Sequence, residues 1–488
     1  MYRLVLIASV CAILAAVAEA APSTEPAEIY QNTLGNLFQP DAVPQYDQAH
    51  QILEDYFAAT TSAQRKTDVD SLNSLGLDPA VIGRLARARA SWSNLDPGVY
   101  YINDTIGPHN VRYFLGIPSD YTPEKSWPLM VKLPAANAFL TDPPPSADQV
   151  TKIYSGWIVD ELQAHPDALV LMPLFNLNEL YGPGPTGMNL VIQPILHAAG
   201  KVNIDPAQVY MMGHSLAAHA VWNIAIHYPT YFAGINPLAG SASQSWQRLR
   251  LGDLSNVNIV MWADASDDVI PVDDSRSLVR YFQTLDRTVD YTETKDLGHA
   301  PSQAILDEEY GKLRSTKRTL YPKQVYIESN SPDTIYNRVD WLQIYQPLNS
   351  GQTLKLLFTI GGQSIDVYSR VFRAIAEFTG PNTISINTNN VESVRFYLND
   401  QMVDFSQPIN IIVNGKSHFD QVVPTSIDEM LKDQTFLGRG WRYFTAIIDL
   451  DLTDTPANSE ASAPTTEPVP TGKIEYTTPD GQTKIYGN

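Results

Sequence analysis

The chain is organised around the stretch Val209-Tyr210-Met211-Met212-Gly213-His214-Ser215-Leu216-Ala217-Ala218-His219-Ala220. An apolar run ends at Gly213, a serine follows one residue later, and a run compatible with a helix begins immediately after that serine. This pattern predicts a strand, a sharp turn at Ser215 and then a helix. We expect the rest of the chain to build the sheet beneath Ser215, to supply its partners or to lie outside that domain.

Apolar runs predict strands at residues 128–133, 168–172, 208–212 and 257–263, and the third of these leads to Ser215. Helical patterns separate or follow them, at residues 146–164, 189–199, 216–227, 273–284 and 304–314. Strands at 99–102 and 111–118, joined through Gly107-Pro108, precede them. Near-continuous apolar strands that alternate with helices indicate a mostly parallel sheet covered on both faces.

A serine nucleophile needs a base within hydrogen-bond reach and a carboxylate that orients the base. The strand that ends at Ala263 runs into a segment with three acidic residues, Asp264, Asp267 and Asp268, followed by Ile-Pro. Farther along, His299 follows a glycine on a predicted loop before a helix. Serine, aspartate and histidine thus follow one another in this order along the chain.

On these motifs the chain resembles secreted α/β-hydrolases of the esterase, prolyl-oligopeptidase-like and polyhydroxybutyrate-depolymerase-like kind. The resemblance covers about residues 100–315. It implies an α/β-hydrolase fold with Ser215 as nucleophile, His299 as general base and Asp267 as the acid that orients the base. Asp268 is the alternative acid because it adjoins Asp267, and Asp264 ranks behind both.

Two positions depart from the pattern of these hydrolases. Ala217 stands where the G-x-S-x-G motif has glycine, and its methyl group crowds a tight turn. Members of the group commonly carry His-Gly after the third strand, whereas this chain has Pro134-Ala135-Ala136. Because proline has no N–H, we expect the oxyanion hole to combine the Leu216 amide with that of Ala135 or Ala136. Loss of one donor typically costs about 10²–10³ in turnover, so a catalytically weak protein remains an alternative.

Two other features lie near the predicted site. His214 and His219 flank Ser215, and we expect them to shape or pack the turn rather than to act as the base. The loop at residues 175–185 follows the fourth strand, at the sheet edge where ligands bind. Its tyrosine, asparagine and glutamate either line an acyl or alcohol pocket or belong to a loop stiffened by proline and glycine.

The start of the chain is typical of a secretory signal. It has Arg3, an apolar run at residues 4–17 and a small-residue cleavage motif at residues 18–20. The apolar run is shorter than the roughly 20 residues that a membrane span needs, so we expect a secreted or periplasmic protein without a transmembrane anchor. The single cysteine, Cys11, lies in this segment, and the mature protein is therefore expected to have no disulfide.

Composition limits the partners. The 488 residues carry a formal net charge of −20, and this acidic balance argues against nucleic acid or anionic lipid as a ligand. No pattern in the sequence is typical of a metal cluster, a phosphate-binding glycine loop or a dinucleotide fingerprint. We therefore expect no cofactor and no metal.

Length and changes of pattern predict five segments, which are a signal peptide at 1–20, an N-terminal helical arm at 21–97, a catalytic domain at 98–317, a β-rich accessory domain at 318–454 and a disordered tail at 455–488. In the accessory domain, short strands separated by Gly361-Gly362, Gly380-Pro381 and Asn414-Gly415 predict a β-sandwich-like fold. This domain either docks on the hydrolase domain or binds carbohydrate through Trp341, Tyr345 or Tyr397.

The sequence thus predicts a secreted serine hydrolase that cleaves carboxylic esters, with a small-molecule or polymer ester as substrate. One alternative is a prolyl-oligopeptidase-like peptidase, which is disfavoured because no propeller sequence precedes the predicted catalytic domain. The other alternative is a hydrolase-fold binding or scaffold protein that has lost turnover.

Overall fold

The computed structural model describes residues 26–87, 92–106, 109–134, 146–175, 186–331, 336–348, 353–360, 363–453, 474–477 and 483–486. The predicted signal segment, the loop residues 176–185 and the turns at 107–108 and 361–362 lie outside these ranges. Within the ranges, no helix combines the length and the apolar character that crossing a membrane would require.

The helices are, in chain order, α1 (Pro26–Leu34), α2 (Val43–Ala58), α3 (Ser62–Ser74), α4 (Pro79–Leu85), α5 (Ala147–Ala164), α6 (Thr186–Ala199), α7 (Leu216–His227), α8 (Ser245–Leu249), α9 (Val272–Thr284), α10 (Gln303–Arg314) and α11 (Ile427–Leu437). Each helix that the sequence predicts between residues 146 and 314 is present, and α7 has the predicted ends.

An eight-stranded sheet occupies the middle of the chain. Its strands are β1 (Gly98–Ile106), β2 (His109–Ile117), β3 (Trp127–Lys132), β4 (Leu169–Pro173), β5 (Ile204–His214), β6 (Gly234–Leu238), β7 (Asn258–Asp264) and β8 (Asp290–Thr294). They lie in the order β1-β2-β4-β3-β5-β6-β7-β8. Strand β2 runs antiparallel to β1 and β4, and the other neighbouring pairs are parallel. The predicted mostly parallel sheet is confirmed.

Apolar side chains cover both faces of this sheet because successive residues of a strand point to opposite faces. In β5, Val209 and Met211 belong to one buried cluster, whereas Tyr210 and Met212 belong to another. Strands covered on both faces read as continuous apolar runs. Because β3 to β8 are parallel, their carboxyl ends share one edge of the sheet. Ser215 follows β5 at this edge.

The β-rich part, residues 318–453, contains β9 (Gln324–Ser329), β10 (Arg338–Val339), β11 (Leu342–Pro347), β12 (Thr353–Ile360), β13 (Gln363–Arg370), β14 (Phe372–Gly380), β15 (Thr383–Asn389), β16 (Val391–Leu398), β17 (Ile409–Val413), β18 (Lys416–Gln421) and β19 (Ala446–Asp451). They form sheets of four, two and five strands. The predicted Asn414-Gly415 turn joins β17 and β18, with φ of 48° and 80° at its two residues. Both angles suit the tight turn that an Asn-Gly pair favours in a hairpin.

Helix α11 is a correction, because the pattern of the β-rich part predicts strands and almost no helix. Ser426 caps it by accepting a hydrogen bond from the Glu429 amide at 3.2 Å. Its apolar residues Ile427, Met430 and Leu431 are buried in one cluster with residues of α1–α4. The N-terminal helices thus pack against a helix of the β-rich part.

The aromatic residues named above as carbohydrate contacts differ in exposure. Trp341 and Tyr397 are buried in the core of the β-rich part, so these two rings do not lie on its surface. Tyr345 is 46% exposed, and the Arg395 guanidinium lies 4.4 Å from the centre of its ring.

A further contact joins the β-rich part to the segment that follows α7. Arg318 and Arg442 both donate to Oδ1 of Asp340, and all three side chains are fully buried. The Asp340 amide donates to the Thr230 hydroxyl at 3.0 Å. We name this group of four residues the buried junction.

In the stretch predicted as a disordered tail, the structure describes one antiparallel pair, β20 (Ile474–Thr477) and β21 (Thr483–Tyr486).

Candidate active site

Ser215 alone forms the turn between a strand and a helix. Strand β5 ends at His214, α7 begins at Leu216, and Ser215 has φ of 60° and ψ of −120°. A positive φ is unfavourable for a residue with a side chain, and such strain persists where the surrounding structure holds it, often at functional sites. The predicted strand–turn–helix is therefore present with the strained serine that this arrangement requires.

Two glycines permit this turn by letting backbones approach closely. A Cβ added to Gly213 would lie 2.7 Å from the carbonyl oxygen of Ala217 and 2.9 Å from its Cβ. A Cβ on Gly240 would lie 2.9 Å from the Ser215 carbonyl oxygen. The space left by Gly213 is thus what accommodates the methyl group of Ala217, the residue that replaces the usual glycine.

The loop after β7 carries Asp267. Its Oδ1 accepts hydrogen bonds from the amides of Val269 at 2.8 Å and Ile270 at 3.0 Å. The Asp267 side chain is only 1% exposed. These bonds within the loop fix the direction of the carboxylate independently of His299.

His299 lies in the loop after β8 and connects Asp267 to Ser215. Its Nδ1–H donates to Asp267, with Oδ2 at 2.9 Å and Oδ1 at 3.1 Å. Its Nε2 lies 2.8 Å from Oγ of Ser215 and accepts the hydroxyl proton in the tautomer that the carboxylate selects. The imidazole is 23% exposed, so His299 is accessible from solvent although Asp267 behind it is buried.

The sheet order, the serine turn after β5, and the loops after β7 and β8 that carry Asp267 and His299 together define a known architecture. The chain has the α/β-hydrolase fold.

Comparison with known proteins adds likenesses of structure at low identity. No model of a protein family and no curated protein matches the chain. A thermostable esterase is 22% identical, with a TM-score of 0.37, and the match covers 45% of this chain and 63% of the esterase. Fluorophosphonate-binding serine hydrolase F of Staphylococcus aureus is 13% identical, with a TM-score of 0.33, over 45% of this chain and 99% of its own length. An arylesterase is 11% identical, with a TM-score of 0.33, over 54% of this chain and 96% of its own length.

The chain therefore spans less than two thirds of the length of that thermostable esterase. The α/β-hydrolase fold itself follows from the sheet order and from the turn at Ser215.

The other two aspartates near the end of β7, Asp264 and Asp268, differ from Asp267 in exposure and in the groups that they contact. Asp268 is exposed, and the carboxylate that contacts His299 belongs to Asp267. Asp264, the third-ranked acid, is fully buried and accepts bonds from the hydroxyls of Ser266 at 2.6 Å and Thr294 at 2.7 Å. Burial alone would raise the pKa of Asp264, but these hydroxyls and neighbouring amides hold its pKa far below the usual range.

Both histidines beside the turn donate to backbone carbonyls. His214 Nε2–H donates to the carbonyl oxygen of His299 at 2.6 Å, and His219 Nδ1–H donates to that of Ser241 at 2.5 Å. A carbonyl oxygen can only accept, so the tautomer of each ring follows from these contacts. Burial lowers the pKa of both side chains.

The expected oxyanion hole is described only on its helix side. Leu216 is the first residue of α7, directly after Ser215. Ala135 and Ala136 lie outside the described residues, as does the loop 176–185 expected near the pocket. In the described ranges, no group of three or more histidine, cysteine, aspartate and glutamate side chains could hold a metal ion.

The sequence patterns missed what Asp264 and His214 contact. Asp264 is the last residue of β7 and His214 the last residue of β5, at the edge that bears the site. Their positions at strand ends were the available signal. The groups that they bond in residues 297–299, however, are backbone atoms, which no side-chain pattern specifies.

Proposed function

We propose that this protein is a serine hydrolase that cleaves carboxylic esters through an acyl-enzyme, with Ser215, His299 and Asp267 as the catalytic triad. The observation that carries the proposal is the continuous hydrogen-bonded row from Asp267 through His299 to Ser215 on its strained turn. Such a row is recognised by geometry and by the role of each group rather than by sequence position.

In the proposed acylation step, Oγ of Ser215 bonds to the ester carbonyl carbon while Nε2 of His299 takes the hydroxyl proton. The carbonyl oxygen becomes an oxyanion. When this intermediate collapses, the bond to the alkoxy group breaks and His299 returns the proton to the departing alcohol. The products are an alcohol and an acyl ester on Ser215.

In deacylation, water takes the place of the alcohol. His299 accepts a proton from the water as its oxygen bonds to the acyl carbon, and then returns a proton to Ser215 Oγ as the carboxylic acid leaves. Asp267 stays ionised, orients the imidazole through Nδ1 and stabilises the imidazolium that forms in each step.

For the oxyanion we propose the amide of Leu216 as one donor and that of Ala135 or Ala136 as the other. The first helical amides of a helix, which point toward its N-terminal end, suit a developing negative charge there. Replacement of His-Gly by Pro134-Ala135 removes one possible donor, so turnover measures how well the remaining amides serve the intermediate.

A hydrolase-fold protein without turnover is less well supported than an enzyme. Separation of Ser215 and His299 beyond hydrogen-bond reach would favour it, but their Oγ and Nε2 atoms lie 2.8 Å apart.

We further propose that the protein is exported. N-terminal sequencing of protein recovered from outside the producing cell should find Ala21 as the first residue if residues 1–20 are removed.

A fluorophosphonate probe tests the nucleophile without knowledge of the substrate. We expect covalent labelling of the wild type and none of Ser215→Ala. The matched control is Ser255→Ala, because the buried Ser255 hydroxyl has no hydrogen-bond partner among the described residues and its loss should leave labelling intact. Labelling that persists in Ser215→Ala would refute the assignment.

Substrate class requires a second assay. We expect the purified protein to hydrolyse p-nitrophenyl acetate and to leave a chromogenic dipeptide anilide uncleaved. Cleavage of the anilide at a comparable kcat/KM would contradict the ester assignment and favour the peptidase.

A further inference from the structure

Three consecutive residues that carry the proposed base, 297–299, are bonded through their backbone to two side chains at strand ends, neither of which belongs to the proposed triad. These side chains are Asp264, at the end of β7, and His214, at the end of β5. Residues 297–299 are therefore linked to the strand that leads to the acid and to the strand that leads to the nucleophile.

The contact from β7 is a carboxylate that accepts successive amides. Asp264 Oδ2 accepts the Leu297 N–H at 3.1 Å, and Oδ1 accepts the Gly298 N–H at 3.1 Å. The Gly298 amide also lies 3.2 Å from Oγ of Ser266. Successive backbone amides that converge on one anion form a defined local structure, and charged acceptors make such bonds stronger than neutral ones do.

The contact from β5 is the His214 ring. Its Nε2–H donates to the His299 carbonyl at 2.6 Å, and the centres of the two imidazole rings are 4.9 Å apart. Because Ser215 follows His214 directly, this bond ties the nucleophile turn to the backbone of the base.

Apolar burial does little to hold the segment itself. Leu297 is 40% exposed, and residues 295, 296 and 300 are exposed as well. Asp296 adopts a positive φ of 73°. This conformation costs energy and persists only where surrounding contacts hold it. A segment with few apolar contacts keeps a single position only if its polar bonds hold it.

We propose that His214 and Asp264 are positioning residues that together hold residues 297–299 and thereby set the place of the His299 ring between Ser215 and Asp267. The role in catalysis rests on the proposed function. Proton transfer requires hydrogen-bond reach, and a displacement of about 1 Å costs on the order of 10² in rate.

Turnover variants test this role. His214→Phe keeps an aromatic ring and removes the donor, His214→Gln keeps an N–H donor near the position of Nε2, and Asp264→Asn keeps the size of the side chain and removes its charge. The matched control is His227→Phe, because His227 also donates to a backbone carbonyl, that of Asn223 at 2.8 Å, at the far end of α7.

On p-nitrophenyl acetate, we expect His214→Phe and Asp264→Asn to lower kcat by on the order of 10–100-fold, with KM unchanged within about twofold. His214→Gln should recover kcat to within about fivefold of the wild type. The double variant should lose less than the product of the two single losses, since both side chains hold the same segment. Rates are normalised to the folded fraction measured by near-ultraviolet circular dichroism.

Hydrogen–deuterium exchange of a peptide covering residues 295–301 reports on the same contacts without any activity. We expect exchange to be about tenfold faster in His214→Phe and Asp264→Asn, and unchanged in His227→Phe. Exchange or turnover in His214→Phe equal to that of His227→Phe would overturn the proposal. A wild type that neither labels nor hydrolyses esters would refute the proposed function, whereas the exchange data would still decide whether the two side chains hold the segment.

Discussion

A buried carboxylate lies near each end of α7, and the two carboxylates differ in the chemistry and the exposure of their partners. At the N-terminal end, Asp267 is 1% exposed and its partner His299 is 23% exposed. Near the C-terminal end, in the buried junction, Asp340 and its partners Arg318 and Arg442 are all completely buried. An imidazole gives up and regains a proton near neutral pH, whereas a guanidinium in a protein does not.

The difference separates the carboxylate proposed for catalysis, Asp267, from a structural one, Asp340. Burial would raise the pKa of Asp340, but the two guanidinium groups outweigh burial and hold its pKa below the usual range. A permanently charged, sealed cluster contributes to the relative placement of chain segments and has no route for proton exchange. A partly exposed histidine in the same kind of pair can transfer a proton to a ligand. Mutations at the two ends should therefore change different quantities.

The largest expected effect is on turnover at the N-terminal end. His299→Ala removes the proposed base, and kcat on p-nitrophenyl acetate should fall by about 10⁵–10⁶-fold. The corresponding change at the other end, His227→Phe, should leave kcat within about twofold of the wild type. Activity of His299→Ala within tenfold of the wild type would remove the distinction between the two ends.

A smaller loss is expected when the acid is neutralised. Asp267→Asn keeps the shape of the side chain but no longer selects the tautomer of His299, so kcat should fall by about 10⁴-fold. Asp268→Asn changes an exposed neighbour and should alter kcat by no more than about twofold. Equal losses in the two variants would mean that the loop presents either aspartate to His299.

At the buried junction, stability should change instead of turnover. Asp340→Asn leaves two buried guanidinium groups without their shared carboxylate, which should cost about 3–5 kcal/mol of unfolding free energy. Urea denaturation followed by tryptophan fluorescence measures this loss, with Asp268→Asn as the exposed control. The kcat of the folded fraction should stay unchanged, and a parallel fall in kcat would show that the junction also shapes the active site.

The smallest expected effect concerns pH. Burial, reinforced by the nearby Arg250, lowers the pKa of His227 to about 4. The unfolded chain has an imidazole pKa of about 6.5, so between these values the unfolded state binds a proton that the folded state does not. The stability contributed by neutral His227 is therefore present above about pH 6.5 and is lost as pH falls toward 4, by about 2–3 kcal/mol.

His227→Asn removes this titration and keeps a donor for the Asn223 carbonyl. Urea midpoints at pH 7 and pH 4.5 should therefore differ less in the variant than in the wild type. An unchanged difference would show that His227 is protonated in the folded protein at the lower pH.

Much of the sheet and its helices could be predicted from residue patterns. The bounds of α7 agree with prediction because this helix is an apolar run that ends at a clear change of residue type. Helix α11 escaped prediction although Ile427, Met430 and Leu431 have helical spacing. These residues are buried against helices near the start of the chain, and local patterns carry no information about so distant a partner.

For the site, the order of Ser215, Asp267 and His299 along the chain, with a strand before the serine, was enough to select three side chains. The choice between Asp267 and Asp268 depended on two amides, those of Val269 and Ile270, that bond one carboxylate and fix its direction. Neighbouring aspartates have the same chemistry, so only the path of the loop could separate them.

The sequence by itself determined the alternation of strands and helices and the turn at Ser215, because these depend on the periodicity of side chains and on close contacts among neighbouring residues. Only the tertiary structure decided which aspartate meets His299, that His214 and Asp264 bond the backbone of residues 297–299, and that Asp340 joins two arginines far apart in the chain. These contacts link strand ends and loops that are distant in the chain. They exist only after the strands have paired, and their partners are often backbone atoms, which every residue has and which leave no trace in a pattern of side chains.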